Sequence, residues 1–449
     1  MNTSHKTAQR AAQARDRGWT VVKYAAASRL ASLALGIVSS AIVNDYDASA
    51  QLVLASPDTM LAQVVHKLAH VVLRWDAFYF VHIAGNGYMY EQVNAFFPLL
   101  PLMMRALTKT VLFPLVSVAG EQAVLAIAGA IISNVCFVLA ATTLYTLGCY
   151  TLRNDRLAYI AAVLFVFAPS NMFMSAAYTE SLFAWLVFTA MLRIARRQYF
   201  AASIWLCASG LCRSNGTLYA GYLVWDLLVR REAWGSNQRR IGPIVCRIAW
   251  TVTLVAISAL GFVGFQVYGY RKYCLQTLYP EHQSRDYCAG FPATVYSFVQ
   301  SEYWDVGFLR YYTLQQLPNF LLAAPMIVLS VAGLYTYVAH DPLRFATLGW
   351  RRSSRSAASN NSSAELATAF LGNRLLPHVY LWALLVAIGV TTMHVQMITR
   401  MFSGVPAVFW FAAHAVAVGR RATQWAVTGY FVDYGLAGVV LFSNFFPPA

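Results

Sequence analysis

The sequence predicts an all-α polytopic membrane protein, on three observations. Of its 449 residues, 59% are hydrophobic and only 11% are charged, a composition too apolar for soluble domains to bury. The apolar residues form several runs of about 20, the length that crosses a bilayer as a helix. The basic residues, which give a formal net charge of +15, cluster in short segments between these runs. That clustering favours cytosolic loops over a nucleic-acid-binding surface.

The chain begins with a basic segment, residues 1–18, which is predicted to be a disordered cytosolic tail. A single membrane domain is predicted over residues 19–449, because the sequence has neither an internal repeat nor a boundary to a soluble domain. The first apolar run, residues 21–43, is too long for the apolar region of a cleaved signal peptide. We therefore expect it to remain as an anchor.

About eleven crossings are predicted, each bounded by charged or turn residues. They lie at about 19–43, 122–149, 157–174, 178–195, a compressed pair within 199–229, 244–268, 318–339, 376–393, 402–419 and 425–444. The compressed pair is too short for two full crossings of about 20 residues each. A re-entrant hairpin is therefore predicted around residues 213–216.

The segments between the crossings differ in charge. Two long loops, at about 44–121 and 269–317, have nearly balanced charges and are predicted to be luminal, the first with interfacial helices. A segment rich in serine and arginine, at about 341–375, is predicted to be a flexible cytosolic loop. With the N-terminus cytosolic, the other basic clusters fall on the same side as this loop.

Asp76 stands out in the first luminal loop, where it follows Trp75 and opens a short helical run. Helical spacing places Asp76, Tyr79 and His82 on one side of that run. One interpretation is an interfacial helix whose acid is solvated. The other is a partly desolvated general base among aromatic residues.

Four more polar side chains border the predicted luminal ends of apolar runs. Glu180 follows Thr179, a predicted helix N-cap, so it either complements the helix dipole or serves the site. Arg213 and Arg400 oppose the positive-inside tendency, which favours an anionic partner such as a phosphate. His394 either assists them or packs as a hydrogen-bonded residue.

The cysteines form two groups. Five lie in or beside apolar runs and are expected to behave as small hydrophobic residues: Cys136, Cys149, Cys207, Cys212 and Cys246. Cys274 and Cys288 lie in the second luminal loop, where an oxidising compartment would allow a disulfide between them. No metal-ligand spacing is found among them, so no metal site is predicted.

The residues alone indicate a multispan protein with a luminal acid, luminal cations for a lipid phosphate and aromatic surfaces suited to sugars. The sequence contains no P-loop, dinucleotide-binding glycine pattern or catalytic-triad spacing. This pattern favours glycosyl transfer from a lipid carrier. The alternatives are a transporter or lipid scramblase, whose polar residues would line a pathway across the membrane, and a non-enzymatic subunit of a luminal transferase.

Several long motifs, in unbroken order, closely resemble the PIG-V family of mannosyltransferases. They are R-W-D-A-F-Y-F-V-H-I-A-G-N-G-Y-M-Y-E-Q at 74–92, A-F-F-P-L-L-P at 95–101, A-P-S-N at 168–171, S-A-A-Y-T-E-S-L-F-A at 175–184, C-R-S-N-G at 212–216, G-Y-R-K-Y-C at 269–274, Y-W-D-V-G-F-L-R-Y-Y at 303–312, H-V-Q-M-I-T-R-M at 394–401 and G-L-A-G-V-V-L-F-S-N-F-F-P-P at 435–448. The resemblance runs from about residue 19 to the C-terminus. The tail, residues 44–70 and the serine- and arginine-rich loop diverge.

This resemblance implies a GT-C glycosyltransferase of the endoplasmic reticulum membrane, with its active site in the lumen. It implies transfer of an α1,6-linked second mannose from dolichyl-phosphate mannose to the glycosylphosphatidylinositol (GPI) precursor, without a nucleotide sugar, a cofactor or a tightly bound metal. Another mannosyltransferase that uses the same donor is the alternative, and an accessory membrane subunit remains open. The catalytic acid of the fold class maps onto Asp76. Substrate-binding roles are expected for Trp75, Glu91, Glu180, Arg213, Asn215, Arg310, His394 and Arg400.

Overall fold

The computed structural model describes residues 2–46, 59–230, 241–275, 285–290, 294–351 and 362–447, and every regular element within these ranges is helical. The α-helices are α1 Asn2–Ile42, α2 Met60–Val72, α3 Ala77–Asn86, α4 Leu99–Lys109, α5 Phe113–Ala119, α6 Glu121–Leu152, α7 Asp155–Val166, α8 Glu180–Ala195, α9 Tyr199–Cys212, α10 Gly221–Val224, α11 Ile241–Tyr270, α12 Asp286–Ala289, α13 Val295–Glu302, α14 Leu317–His340, α15 Pro342–Ala346, α16 Ser362–Ala369, α17 Leu376–Thr391, α18 Met397–Met401, α19 Pro406–Val418 and α20 Arg421–Ser443. The all-α prediction is confirmed.

Six of the described helices are long and apolar enough to cross a membrane: Ala12–Ile42, Glu121–Leu152, Gly242–Leu275, Leu314–His340, Glu365–Thr391 and Arg421–Ser443. Two bent pairs, Leu99–Lys109 with Phe113–Ala119 and Met397–Gly404 with Pro406–Val418, raise the number to eight if each is one span. The chain is therefore a multi-pass membrane protein. The predicted count of about eleven is not confirmed.

The difference in number arises mainly between residues 155 and 229. Helices α7, α8 and α9 are 12, 16 and 14 residues long. Most of α8 is buried inside the protein, so its apolar residues contact other helices. A run of this length is as typical of a buried core helix as of a membrane span, and hydropathy alone does not separate the two. After α9 the chain bends at Arg213 into a 3₁₀ helix, Ser214–Ala220.

Helix α6 is the central packing element. It packs against α8 and α7, and also against α1, α2 and α4. Its Gly129 lies so close to the chain before α8 that an added Cβ would be 2.6 Å from the Cβ of Ala177. Small residues at such a contact let backbones approach closely, as is typical inside membranes. This contact fixes the position of the next residue, Tyr178.

The N-terminal segment differs from the predicted disordered tail, since α1 is helical from Asn2 onwards. Residues 2–17 contain no proline or glycine, and they are rich in alanine, arginine and glutamine, which favour helices. Arg17 also forms an ion pair with Asp155 at the start of α7. These features extend α1 beyond its apolar part.

The predicted loops contain short helices. Four of them, α2 to α5, occupy the first loop, which confirms the helical run after Asp76. The second contains α12 and α13. Within the serine- and arginine-rich segment, predicted to be flexible, α15, α16 and a 3₁₀ turn Asn373–Leu375 are helical. Residues 47–58, 276–284, 291–293 and 352–361 of these loops lie outside the described residues.

Candidate active site

The turn between α2 and α3 carries Trp75 and Asp76. Trp75 has a φ of +51°, a backbone conformation that side chains other than glycine rarely adopt. Tyr178 holds this turn from both sides: its hydroxyl donates to the carbonyl oxygen of Arg74, and the Asp76 N–H donates to that hydroxyl, both over 3.0 Å. Local strain fixed by buried contacts is typical of functional sites.

Arg74 anchors the same turn to the C-terminal end of the chain. Its side chain is fully buried, donates to the carbonyl oxygen of Ser443 over 2.9 Å and pairs with Asp45. The guanidinium also lies over the ring of Phe445. The turn that presents Asp76 is therefore held by α20 as well as by Tyr178.

Four charged side chains alternate in sign at this turn, and we call Asp76, Arg400, Glu180 and Arg213 the charge quartet. Arg400 donates through one N–H to Asp76, over 3.0 Å, and through Nε to Glu180 Oε1, over 2.7 Å. Arg213 reaches the same Glu180 oxygen over 2.9 Å. The quartet is formally neutral, and the fully buried Glu180 holds both guanidinium groups.

A cavity of about 790 Å³ opens beside the quartet. Six of the predicted site residues line it: Trp75, Asp76, Arg213, Asn215, His394 and Arg400. Among the described lining residues, Asp76 supplies the only carboxylate. Aromatic and apolar side chains form much of the remaining wall, including Phe96, Phe262 and Trp304. Such a cavity has the form of a site for a ligand with both polar and apolar parts.

Three other predicted residues do not line this cavity. Glu180 lies behind the wall, where it positions Arg400 and Arg213. Arg310, expected to bind substrate, instead pairs over 3.6 Å with Asp305 on the protein surface. Glu91 is buried in a separate cluster of contacts with the second loop and does not line the cavity with Asp76.

We call the cluster around Glu91 the loop latch. Tyr287 and Tyr303 donate their hydroxyls to Glu91, the second over 2.6 Å, and Arg285 lies 3.4 Å away. Burial and the hydrogen bond to Glu91 raise the pKa of Tyr303 to about 12. Since Glu91 belongs to the first predicted luminal loop and its partners to the second, the latch joins the two loops.

Cys274 and Cys288 are joined in a disulfide next to the latch, with their Cα atoms 5.5 Å apart. The bridge connects the π-helical turn Arg271–Leu275, which follows α11, to α12. The ring of Tyr273, adjacent in the chain, is fully buried, and its hydroxyl donates to the carbonyl oxygen of Tyr90 over 2.9 Å. The disulfide therefore reinforces the contact between the two loops.

Two contacts differ from the local interpretation of the sequence. Thr179 stands at the N-cap position of α8, but its side chain makes no capping hydrogen bond. It accepts instead from Arg213 over 3.4 Å. His394 bonds the carbonyl oxygen of Trp304 over 2.8 Å and stacks on Tyr311, so it both lines the cavity and packs.

Sequence reasoning missed the role of Tyr178 and the approach of the C-terminus, whose Pro447 lines the cavity. Tyr178 lies two residues before Glu180, the candidate acid of its motif. Its hydrogen-bond partners, Arg74 and Asp76, are about 100 residues away in the sequence. Among the described residues, no three histidine, cysteine or acidic side chains are grouped as they would be around a metal ion.

Comparison with known proteins places this chain among mannosyltransferases. The profile of the family "Mannosyltransferase (PIG-V)" matches residues 17–449. The chain is 34% identical to the rat GPI alpha-1,6-mannosyltransferase 2, over 88% of this chain and 83% of the relative. It is 31% identical to the human protein of that name, over 95% and 98%, and 30% identical to the GPI mannosyltransferase 2 of Chaetomium globosum, over the full length of both. No solved structure matches. The chain belongs to the PIG-V family of mannosyltransferases.

Proposed function

We propose that this protein transfers an α1,6-linked mannose from dolichyl-phosphate mannose to the one-mannose GPI precursor, on the luminal side of the endoplasmic reticulum. The names of the relatives support GPI as the acceptor class and the α1,6 linkage. The single structural observation that carries the proposal is the cavity beside the charge quartet, in which Asp76 is the only carboxylate among the described lining residues. A multi-pass membrane position suits two lipid-linked substrates.

The chemistry is a single displacement that inverts the anomeric carbon. The acceptor 6-hydroxyl oxygen attacks that carbon, and the Asp76 carboxylate takes the hydroxyl proton. The bond from the anomeric carbon to the phosphate oxygen breaks, and dolichyl phosphate leaves with the electron pair. One mannose is transferred, and the proton ends on Asp76 until solvent removes it.

The quartet supports each part of this step. Arg400 orients the Asp76 carboxylate through their 3.0 Å contact. Arg213 lines the cavity and uses one N–H for Glu180, which leaves further donors of its fork for the leaving phosphate. Fixed cations placed where negative charge grows stabilise the transition state without reorganisation.

The direct test is conversion of the one-mannose GPI precursor to the two-mannose form in cells that lack the native activity. We expect expression of this chain to restore the two-mannose product and the surface display of GPI-anchored proteins. Addition of mannose to an N-glycan precursor or to a different GPI mannose, with no two-mannose GPI product, would overturn the proposal in favour of another enzyme with the same donor.

A further inference from the structure

Helix α13 turns one polar face towards the cavity. Ser297 and Gln300 lie one helical turn apart on this face and both line the cavity, as does Trp304 two residues beyond the helix. The opposite face carries Val295 and Val299, which are buried beneath the loop latch. The side chains of Ser297 and Gln300 are therefore held towards the cavity by a packed helix.

Neither of these two polar side chains has a partner in the part of the chain that the structure describes. The neighbouring polar groups differ: Ser214 donates to the Tyr296 hydroxyl over 2.9 Å, and His394 bonds the Trp304 carbonyl. Ser297 is exposed and Gln300 half-exposed to the cavity. A free amide and a free hydroxyl offer donors and acceptors without charge, which suits sugar hydroxyls better than a phosphate.

The face lies beside Asp76. The ring of Trp304 packs against Tyr79 and Phe96, with centroids 5.7 and 5.8 Å apart. Tyr79 follows Asp76 by three residues, about 4.5 Å along α3. The cavity therefore presents both the Asp76 carboxylate and the polar face of α13 to one ligand.

We propose that Gln300 and Ser297 bind hydroxyls of the acceptor mannose, and that this face of α13 selects the acceptor. The inference rests on the proposed function, in which Asp76 takes the proton of the acceptor hydroxyl. Gln300 and Ser297 take no part in bond making. They hold the acceptor ring so that its 6-hydroxyl faces Asp76.

The first experiment replaces Gln300 by methionine, which keeps the length of the side chain and removes its amide. In purified, reconstituted enzyme we expect KM for the GPI acceptor to rise about 3- to 10-fold, the equivalent of one neutral hydrogen bond. We expect kcat and the KM for the donor to stay within about 2-fold of native. S297A should also raise the KM for the acceptor, but by less than Q300M does. Gln92→Met is the matched control, because Gln92 is exposed and does not line the cavity.

The second experiment pairs these variants with acceptors that lack one hydroxyl of the mannose ring. One deoxy acceptor lacks the hydroxyl that Gln300 binds. With this acceptor the KM of the native enzyme should rise about as much as Q300M raises the KM for the complete acceptor. The KM of Q300M for that deoxy acceptor should then be no higher than its KM for the complete acceptor. Equal, fully additive losses for every deoxy acceptor would overturn the inference, as would a rise in the donor KM alone.

Two further measurements separate other failures. If the native chain makes no two-mannose product, the proposed function fails, whereas a native-like acceptor KM in both Q300M and S297A overturns only this inference. Thermal unfolding of the detergent-solubilised proteins identifies a folding defect in Q300M. In that case S297A with the deoxy acceptors decides, because an exposed serine tolerates alanine.

Discussion

Among the residues that the structure describes, two glutamates are buried, Glu180 and Glu91, and comparing them shows what gives a buried acid its role. At most 3% of either residue is exposed, and each forms an ion pair with arginine. Glu180 faces Arg400 and Arg213, whose side chains are only 11% and 16% exposed and line the cavity. Glu91 faces two tyrosine hydroxyls and Arg285, which is 36% exposed.

The two glutamates differ in the partner groups that would lose a hydrogen-bond acceptor if each were removed. Without Glu180, two guanidinium groups with little access to water would lose their shared partner, a costly state. Without Glu91, the half-exposed Arg285 and the exposed Tyr303 would turn to water, and the buried Tyr287 hydroxyl would lose its acceptor. We therefore interpret the charge quartet as a pre-organised electrostatic site. The loop latch has a structural role, which is to hold the two loops together.

The largest effect is expected for Asp76→Asn, which removes the only carboxylate that the described residues of the quartet present to the cavity. An amide cannot take the hydroxyl proton, so the conversion rate should fall by about 10²- to 10⁴-fold while the protein stays folded. The rate is measured as two-mannose GPI product in a reconstituted assay. Asp305→Asn is the control and should keep native activity, because Asp305 is exposed, pairs with Arg310 on the surface and does not line the cavity. Full activity of Asp76→Asn would contradict the mechanism.

Glu180→Gln tests the quartet from its buried side. Because it leaves Arg400 and Arg213 short of a carboxylate, we expect a loss of about 3–5 kcal/mol in the free energy of unfolding. In protein that remains folded, the conversion rate should fall at least about 10-fold, since neither guanidinium is then fixed. Thermal unfolding and turnover per folded molecule measure the two effects. A variant with native turnover would show that Glu180 serves packing alone.

The disulfide beside the loop latch should stabilise the protein by about 3 kcal/mol, as expected for a bridge of this sequence separation. A thiol-specific alkylating reagent should modify Cys274 and Cys288 only after reduction. With the protein denatured in detergent before alkylation, the free Cys246 is the internal control and should react in either case. Modification of both bridge cysteines in unreduced protein would refute the pairing.

The smallest effect is expected for Glu91→Gln, the matched change in the loop latch. The glutamine still accepts one tyrosine hydroxyl and Arg285 turns to water, so the expected loss is about 1–3 kcal/mol in the free energy of unfolding. Turnover per folded molecule should stay within about 3-fold of native. If Glu91→Gln lost as much turnover as Glu180→Gln, the two clusters would not differ in role.

The sequence located the centre of the site but not its extent. Asp76 and Trp75 were found because an acid among aromatic residues is visible in a short motif. Glu91 is near Asp76 in sequence, yet its carboxylate meets Tyr287, Tyr303 and Arg285 of the second loop. The pairing of Arg310 with Asp305 is likewise not readable from the motif.

The predicted count of about eleven crossings is not confirmed, for a related reason. Hydropathy reports that residues avoid water, and it does not say whether lipid or protein covers them. Helix α8 is apolar because α6 and α9 surround it. Its neighbours α7 and α9 are likewise too short to span, although each has an apolar sequence.

By itself the sequence determined the all-α membrane class, the acid at residue 76 and the resemblance to one family, because composition, periodicity and motifs are local properties of the chain. The tertiary structure decided which distant side chains meet. Arg400 contacts Glu180 from 220 positions away, and Tyr178 bonds the turn at Asp76 from 102. Such contacts depend on how helices pack around α6, and packing is a property of all of them together.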